Sequence, residues 1–372
     1  MRKRVLLMYI SKNSGHHHAS VAIENALHEL SDDIETSNIN SFCYTNPILE
    51  KIINRTYMSI IKRRPEVWGY LYDNPNVVKK TQKLRDSIHR YNSKKMRVLL
   101  DEFKPHAVIC TQAFPCGIIA DQKKTYRTNL LLCGVLTDYA PHSYWLYDAV
   151  DLYFVPSEET KEKLILNGIA KDKIKLTGIP IDLRFQKIID RQKVIENLGL
   201  SPDLPVVLIM GGSQGVGPMK EILPILDNSA AKYQIIVVAG GNKKLYRYLK
   251  KRSPRFGKKV LVFGYTENID ELMEVSSIIV GKPGGITISE AFSKGVPVII
   301  VKPIPGHEQM NADHLIKHKA AIKVDNLRDT GIIIRELLSN PYALKNLREH
   351  VKKFARPSSA LDIARAVLER IM

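Results

Sequence analysis

Val206-Val207-Leu208-Ile209-Met210-Gly211-Gly212-Ser213-Gln214-Gly215 reads as a buried strand that ends abruptly in a glycine-rich loop. The run is apolar at every position, which suits a parallel sheet covered by helices on both faces. The glycines let the chain turn, and a helix is expected from near Pro218. Backbone N–H groups of such a loop can face an anion, and the following helix N-terminus adds partial positive charge. The loop lacks the Gly-Lys-Ser/Thr of a Walker loop and is not a complete dinucleotide fingerprint. A simple tight turn would use the same glycines.

The strand–loop–helix unit recurs along the chain. Apolar runs at 5–10, 107–110, 130–136 and 152–155 predict strands in the first half. Runs at 235–239, 260–263, 277–280 and 296–301 join 206–210 in the second. Repeated strand and helix imply right-handed βαβ units. The rhythm pauses in 178–205, after Gly178-Ile179-Pro180-Ile181, and the linker is placed there. The chain has 372 residues, a length that favours two domains. The expected fold is α/β, with an amino-terminal domain over 1–182 and a second over 183–355. Residues 356–372 read as a terminal helix that returns to the first domain.

Composition narrows the class. Hydrophobic residues are 44% and charged residues 25%, as in a globular chain. No apolar run approaches the roughly 20 residues of a membrane span. Met1-Arg2-Lys3-Arg4 and the short apolar run after it read as a first strand and not a secretion signal. Cys43, Cys110, Cys116 and Cys133 show no metal or redox spacing and fit reduced thiols in a cytoplasmic protein. The formal net charge is +18, which points to an anionic partner: nucleic acid, a membrane surface or a phosphorylated ligand.

Half of that excess falls in 51–104, with 14 Lys and Arg against 5 Asp and Glu. The segment reads as two helices. Trp68, Tyr70 and Tyr72 sit between them, beside Arg63, Arg64 and Pro65. Basic residues interleaved with aromatics suit contact at the headgroup level of an anionic membrane. A solvated basic face would have the same composition.

Three further strand ends carry candidate chemistry. Ser11-Lys12-Asn13-Ser14-Gly15-His16-His17-His18 precedes a helix predicted over 19–30. Gly15 permits close backbone approach, and His16 at the helix start can act as a general base on a hydroxyl. A metal site is another use of three histidines, though adjacent side chains at a helix start converge poorly on one ion. Lys282-Pro283-Gly284-Gly285-Ile286-Thr287-Ile288-Ser289-Glu290-Ala291 repeats the glycine-loop logic. Glu290 falls about one turn into its helix, where it can hold a ribose or interact with the helix dipole. Pro303-Ile304-Pro305-Gly306-His307-Glu308-Gln309-Met310-Asn311-Ala312 follows the next strand.

These motifs resemble a known family. The Gly-Gly-Ser-Gln-Gly loop resembles that of the peptidoglycan N-acetylglucosaminyltransferase. The 282–291 and 303–312 stretches, with Gly295-Val296-Pro297, are similar to monogalactosyldiacylglycerol synthases and bacterial processive diacylglycerol glucosyltransferases. In the first half Gly15-His16, Leu136-Thr137-Asp138-Tyr139, His142, Trp145 and Thr177-Gly178-Ile179-Pro180-Ile181 match as well. At 306–308 the chain has Gly-His-Glu where many relatives have Gly-Gln-Glu.

The resemblance implies a GT-B architecture: two Rossmann-like domains facing a cleft. It implies that Gly15 lies on the acceptor loop, that His16 is the base, and that Asp138 orients His16 or a sugar hydroxyl. It assigns Gly212, Ser213 and Gln214 to the donor diphosphate, with Gly284, Gly285 and Ile286 completing the cradle. Glu290 would hold the ribose, while Glu308, Gln309 and Asn311 would meet the donor sugar or phosphates. Arg63, Arg64, Trp68 and Tyr70 would face the membrane. The expected activity is inverting transfer of a hexose from UDP-glucose or UDP-galactose to diacylglycerol or a glycosyl-diacylglycerol. The enzyme would sit peripherally on the inner face of the cell membrane. No metal or other cofactor is expected, because two helix N-termini can stabilise the leaving diphosphate and no convincing Asp-x-Asp is present. The alternative within the fold is a UDP-N-acetylglucosamine-using transferase or epimerase with a non-lipid acceptor. Nucleic acid is set aside as a partner, since no nucleic-acid motif accompanies the charge.

Overall fold

The computed structural model describes residues 2–63, 66, 93–140 and 143–372. Two compact units emerge. One comprises Met1–Leu183, Ile304–Met310 and Pro357–Met372; the other comprises Arg184–Pro303 and Asn311–Arg356. Ile304–Met310, which the sequence expectation placed with the second domain, group here with the first unit.

The first unit holds six strands: β1 (Lys3–Tyr9), β2 (Ile34–Asn40), β3 (Ala107–Cys110), β4 (Leu131–Val135), β5 (Leu152–Val155) and β6 (Ile174–Leu176). They form one parallel sheet in the order β2-β1-β3-β4-β5-β6. The second unit repeats the design with β7 (Val206–Met210), β8 (Gln234–Val238), β9 (Val260–Phe263), β10 (Ile278–Gly281), β11 (Val298–Val301) and β12 (Ala321–Val324). Its parallel order is β12-β11-β10-β7-β8-β9.

Each sheet is buried on both faces, and the alternation of strand side chains shows how. Val5, Leu6, Leu7 and Met8 are all 0% exposed. Leu6 and Met8 join one core with Val108, Cys110 and Trp145, whereas Val5 and Leu7 join another with Ile23, Leu27 and Phe154. This second core is closed by the carboxyl-terminal helix Ser359–Ile371, which contributes Ile363, Ala364 and Val367. Ser359 Oγ also donates to the Ile179 carbonyl at 2.7 Å.

The apolar runs given above leave out β2, β6 and β12, all edge strands, where one side faces water and the apolar run breaks up. In β2 the alternate residues Thr36 and Asn38 face the helix Gly15–Leu30 through hydrogen bonds. Ser20 Oγ donates to Asn38 Oδ1, and Asn38 Nδ2 and Thr36 Oγ1 donate to Glu24. That helix begins four residues earlier than expected, at Gly15, because Ser14 caps it by accepting from the His17 N–H.

Both chains of strands reverse direction once. After β1 the chain adds β2 on one side and β3 on the other; after β9 it returns to place β10 beside β7. Loops at such a reversal diverge to opposite faces and leave a crevice at the carboxyl ends of the strands. Among the described residues no helix is long and apolar enough to cross a membrane.

Candidate functional site

The crevice of the first unit lies at the ends of β1 and β3. Met8 pairs with Cys110, and Cys110 with Gly134, so the chain leaves β1, β3 and β4 side by side. That register brings together His16, Thr111, Thr137 and Asp138, residues far apart in sequence. His16 Nδ1 lies 2.8 Å from the Thr111 carbonyl oxygen and 3.1 Å from Thr137 Oγ1. A carbonyl only accepts, so the proton sits on Nδ1 and is donated to Thr111. The lone pair is then on Nε2, the nitrogen that can take a proton from a substrate hydroxyl.

The backbone around this ring is held as firmly as the ring. Thr111 is 0% exposed, and its Oγ1 donates to the His16 carbonyl at 2.9 Å. His16 keeps some exposure, yet its ring is surrounded densely enough that burial pushes its pKa below the usual imidazole value. The Asp138 carboxylate and the Thr111 hydrogen bond pull it back up, and His307 pushes it down. A depressed pKa keeps the ring neutral near pH 7, as a base requires. Asp138 acts on His16 through its charge, and Thr111 and Thr137 lie against its Nδ1. Thr111 went unnoticed in the sequence. Its signal was positional, as the first residue after the strand that lies across the reversal from β1.

The neighbouring histidine is engaged elsewhere. His17 Nδ1 accepts from the Asn13 N–H at 3.4 Å, and its ring packs 4.5 Å from that of Tyr9. Gly15 is exposed at the first position of the helix.

The second unit builds its crevice from β7 and β10. Met210 pairs with Gly281, so the loops beginning at Gly211 and Lys282 leave the sheet as neighbours. The β7 loop is a tight turn closed by Gly215 N–H to Gly212 O at 3.0 Å and Val216 N–H to Gly211 O at 3.0 Å. Gly212 has φ +68° and Gly215 φ +59°, the left-handed region that glycine enters without strain. A Cβ on Gly215 would stand 1.9 Å from the Ala239 carbonyl oxygen. The loop after β8 clamps this turn: Gly241 N–H donates to Ser213 O at 2.8 Å, and Asn242 Nδ2 to Gly215 O at 3.3 Å.

Two helices start at these loops, Met219–Asp227 and Gly285–Ser293, and neither has a side-chain cap. Their first-turn N–H groups therefore present uncapped positive ends, the feature that binds a phosphate. Ser213 is half-buried and Gln214 exposed on the first loop. Gly284, half-buried, precedes the second helix; Gly285 is buried, and Ile286 and Glu290 are half-buried. Asn311 is 0% exposed and its Nδ2 donates to the Pro283 carbonyl at 3.0 Å, which holds this loop in place.

In the first unit Glu308 is 5% exposed, and its Oε2 accepts from the Ile304 N–H at 2.8 Å. One carboxylate oxygen thus closes its own loop. Gln309 beside it is half-buried. Of the residues expected from the sequence to face a membrane, Arg63 ends the helix Pro47–Arg63. Arg64, Trp68 and Tyr70 lie outside the described residues.

Two family models match the chain in succession. Residues 16–181 match the family described as monogalactosyldiacylglycerol (MGDG) synthase, and residues 206–363 match the glycosyltransferase family 28 C-terminal domain. The processive diacylglycerol beta-glucosyltransferase of Bacillus cytotoxicus is 30% identical over 368 residues, covering 98% of this chain and 93% of the relative. The enzyme of that name from Bacillus subtilis is 28% identical over 372 residues, covering 99% and 95%. Among solved structures, Acinetobacter baumannii MurG superposes with TM-score 0.65 at 16% identity, covering 99% of each chain. The UDP-GlcNAc 2-epimerase of Neisseria meningitidis, bound to UDP-GlcNAc, gives 0.62 at 14%, covering 98% of this chain and 100% of that one. The two structures share a fold with this chain, and that fold is GT-B.

Proposed function

Taking as premise that the chain belongs to the family of monogalactosyldiacylglycerol synthases and processive diacylglycerol glucosyltransferases, we propose that this glycosyltransferase moves a hexose from UDP-glucose or UDP-galactose to diacylglycerol, or to a glycosyl-diacylglycerol, with inversion. The observation that carries the reading is the His16 tautomer. Nδ1 is spent on Thr111, and Nε2 is left as the basic atom at the carboxyl end of β1.

The step balances without a further reagent. The acceptor hydroxyl oxygen forms the new bond to the anomeric carbon, and its proton passes to His16 Nε2. The bond from that carbon to the diphosphate breaks, and its electron pair leaves with UDP. Charge grows on the diphosphate in the transition state. The uncapped helix starts at Gly285 and Met219, beside the loops that leave β7 and β10 as neighbours, are suited to stabilise it. This leaves no part of the step that requires a metal. Glu290 is the reading's ribose ligand, and the membrane's inner face is where its acceptor would reside.

Purified protein, diacylglycerol in mixed micelles and a panel of UDP-sugars, with lipids separated by thin-layer chromatography, test this directly. A glycosyl-diacylglycerol from UDP-glucose or UDP-galactose is expected, with or without chelator. Turnover of a UDP-sugar in the absence of lipid would instead support an epimerase, and no product with any lipid would remove the acceptor assignment.

A further inference from the structure

The second unit carries a concentration of charge that the glycine loops do not use. Between 243 and 259 the chain has nine Lys and Arg and no Asp or Glu. The first part is the helix Lys243–Arg252, which follows β8 and lies toward the sheet edge formed by β9. Leu245 and Leu249 are its buried residues, at 5% and 1% exposure. At about 100° per residue these two mark one side of the helix, and Lys243, Lys244, Arg247, Lys250 and Lys251 fall within an arc of about 120° on the other. All five are exposed. Among the described residues none of the five has a carboxylate ion-pair partner.

This arrangement works against the helix that holds it. Lys243 and Lys244 place positive charge on the positive end of the helix dipole. Lys243, Arg247 and Lys251 are spaced i, i+4 and repel. Nothing in the packing of the unit requires these charges, since the buried side is supplied by leucines. A local arrangement that opposes stability is expected where a surface has another use. The basic field extends through exposed Lys220, whose Nζ lies 4.5 Å from the Tyr248 ring, and Arg252, which donates to Tyr248 Oη at 2.7 Å.

We propose that this face of the helix Lys243–Arg252 is a docking surface for an anionic lipid bilayer, separate from the basic segment 51–104. A helix lying flat, apolar on its protein side and basic across a broad outer arc, matches the plane of negative charge on such a surface. Binding relieves the repulsion along the helix and leaves the neighbouring phosphate loops free. The inference goes beyond the proposed reaction and does not depend on which sugar or acceptor the enzyme uses.

The test uses the full chain with all substitutions on exposed residues: Lys244→Glu, Arg247→Glu and Lys251→Glu together. Sedimentation is measured with phosphatidylcholine vesicles, with and without phosphatidylglycerol. Partition onto the anionic vesicles should fall on the order of 100-fold, with no change on phosphatidylcholine alone. UDP binding and transfer to lipid in uncharged detergent micelles should be retained. The corresponding triple glutamine variant should lose less, and it decides the matter if the reversal variant loses UDP binding. Unchanged partition onto anionic vesicles would overturn the proposal. So would salt-sensitive binding to single-stranded RNA that the variant loses while its vesicle binding persists. If the wild type made no glycolipid in any micelle but the vesicle pattern held, the reaction would be rejected and the surface retained.

Discussion

His16 is the residue on which the proposed reaction rests, and its surroundings give two predictions. His16→Ala should lower turnover by about 10²–10⁴-fold, the usual worth of a positioned base. Titration with UDP should be unaffected, and loss of both would mark a structural role. The second prediction concerns pH. Burial lowers the His16 pKa, so the acid limb of kcat/KM should fall below the ordinary imidazole value. Asp138 opposes that shift, so Asp138→Asn should move the limb to still lower pH. The same shift bears on folding. Between the folded and unfolded pKa values the unfolded chain binds more protons, so the His16 contribution is complete above the unfolded value and is lost as pH falls. Thermal unfolding of wild type against His16→Gln across mildly acidic pH should show the wild type losing more. Thr137→Val removes one of the two oxygens beside Nδ1 while the Thr111 carbonyl remains. Residue identity made His16 and Asp138 visible beforehand, as part of recognisable motifs. Thr111 has no such motif, and its role comes from a backbone carbonyl, which every residue possesses.

Elements explain why these residues can act. Gly215→Ala places a Cβ against the Ala239 carbonyl and forces a left-handed conformation on a residue that resists it. UDP affinity should collapse while His16 chemistry is untouched, and calorimetry with UDP would show it. The terminal helix Ser359–Ile371 illustrates the opposite case, an element whose partner lies far away in sequence. Ile363 is 0% exposed within the core shared with β1 and the helix Gly15–Leu30. Ile363→Ala should therefore cost about 2–4 kcal/mol, read by denaturant unfolding. A helix over 356–372 returning to the first domain was expected, and the structure adds which elements it covers, β1 and the helix Gly15–Leu30. Central strands such as β3, β5 and β7 were read to the residue, since burial on both faces leaves an unbroken apolar run. Edge strand β2 was missed because its alternating polar residues are satisfied by Ser20 and Glu24, a relation that only the assembled layers reveal.

For the molecule as a whole the +18 charge has a simple distribution. The segment 51–104 carries half of it and the segment 243–259 the other half, so the remainder of the chain is neutral overall. Attraction of the wild type to anionic vesicles should accordingly weaken steeply as salt is raised toward 1 M, where the screening length is about 3 Å. Reversing Lys79, Lys80 and Lys83, three lysines of the 51–104 segment, together with Lys244, Arg247 and Lys251 should weaken partition more than either reversal alone. A loss no greater than that of either set alone would show that only one surface binds.

The amino-acid sequence alone determined the α/β class, the candidate strand-end loops, and the family. Each is written locally, in apolar runs, glycine loops and short motifs. Tertiary structure decided what those pieces mean together. The parallel register set Thr111 against His16 and so selected the nitrogen that is basic. The chain reversals at β1/β3 and β7/β10 turned separate loops into two crevices. Packing on Leu245 and Leu249 turned a run of lysines and arginines into one exposed face. The reason is the same in each case: hydrogen bonds, burial and charge act across space, between residues that the chain itself holds far apart.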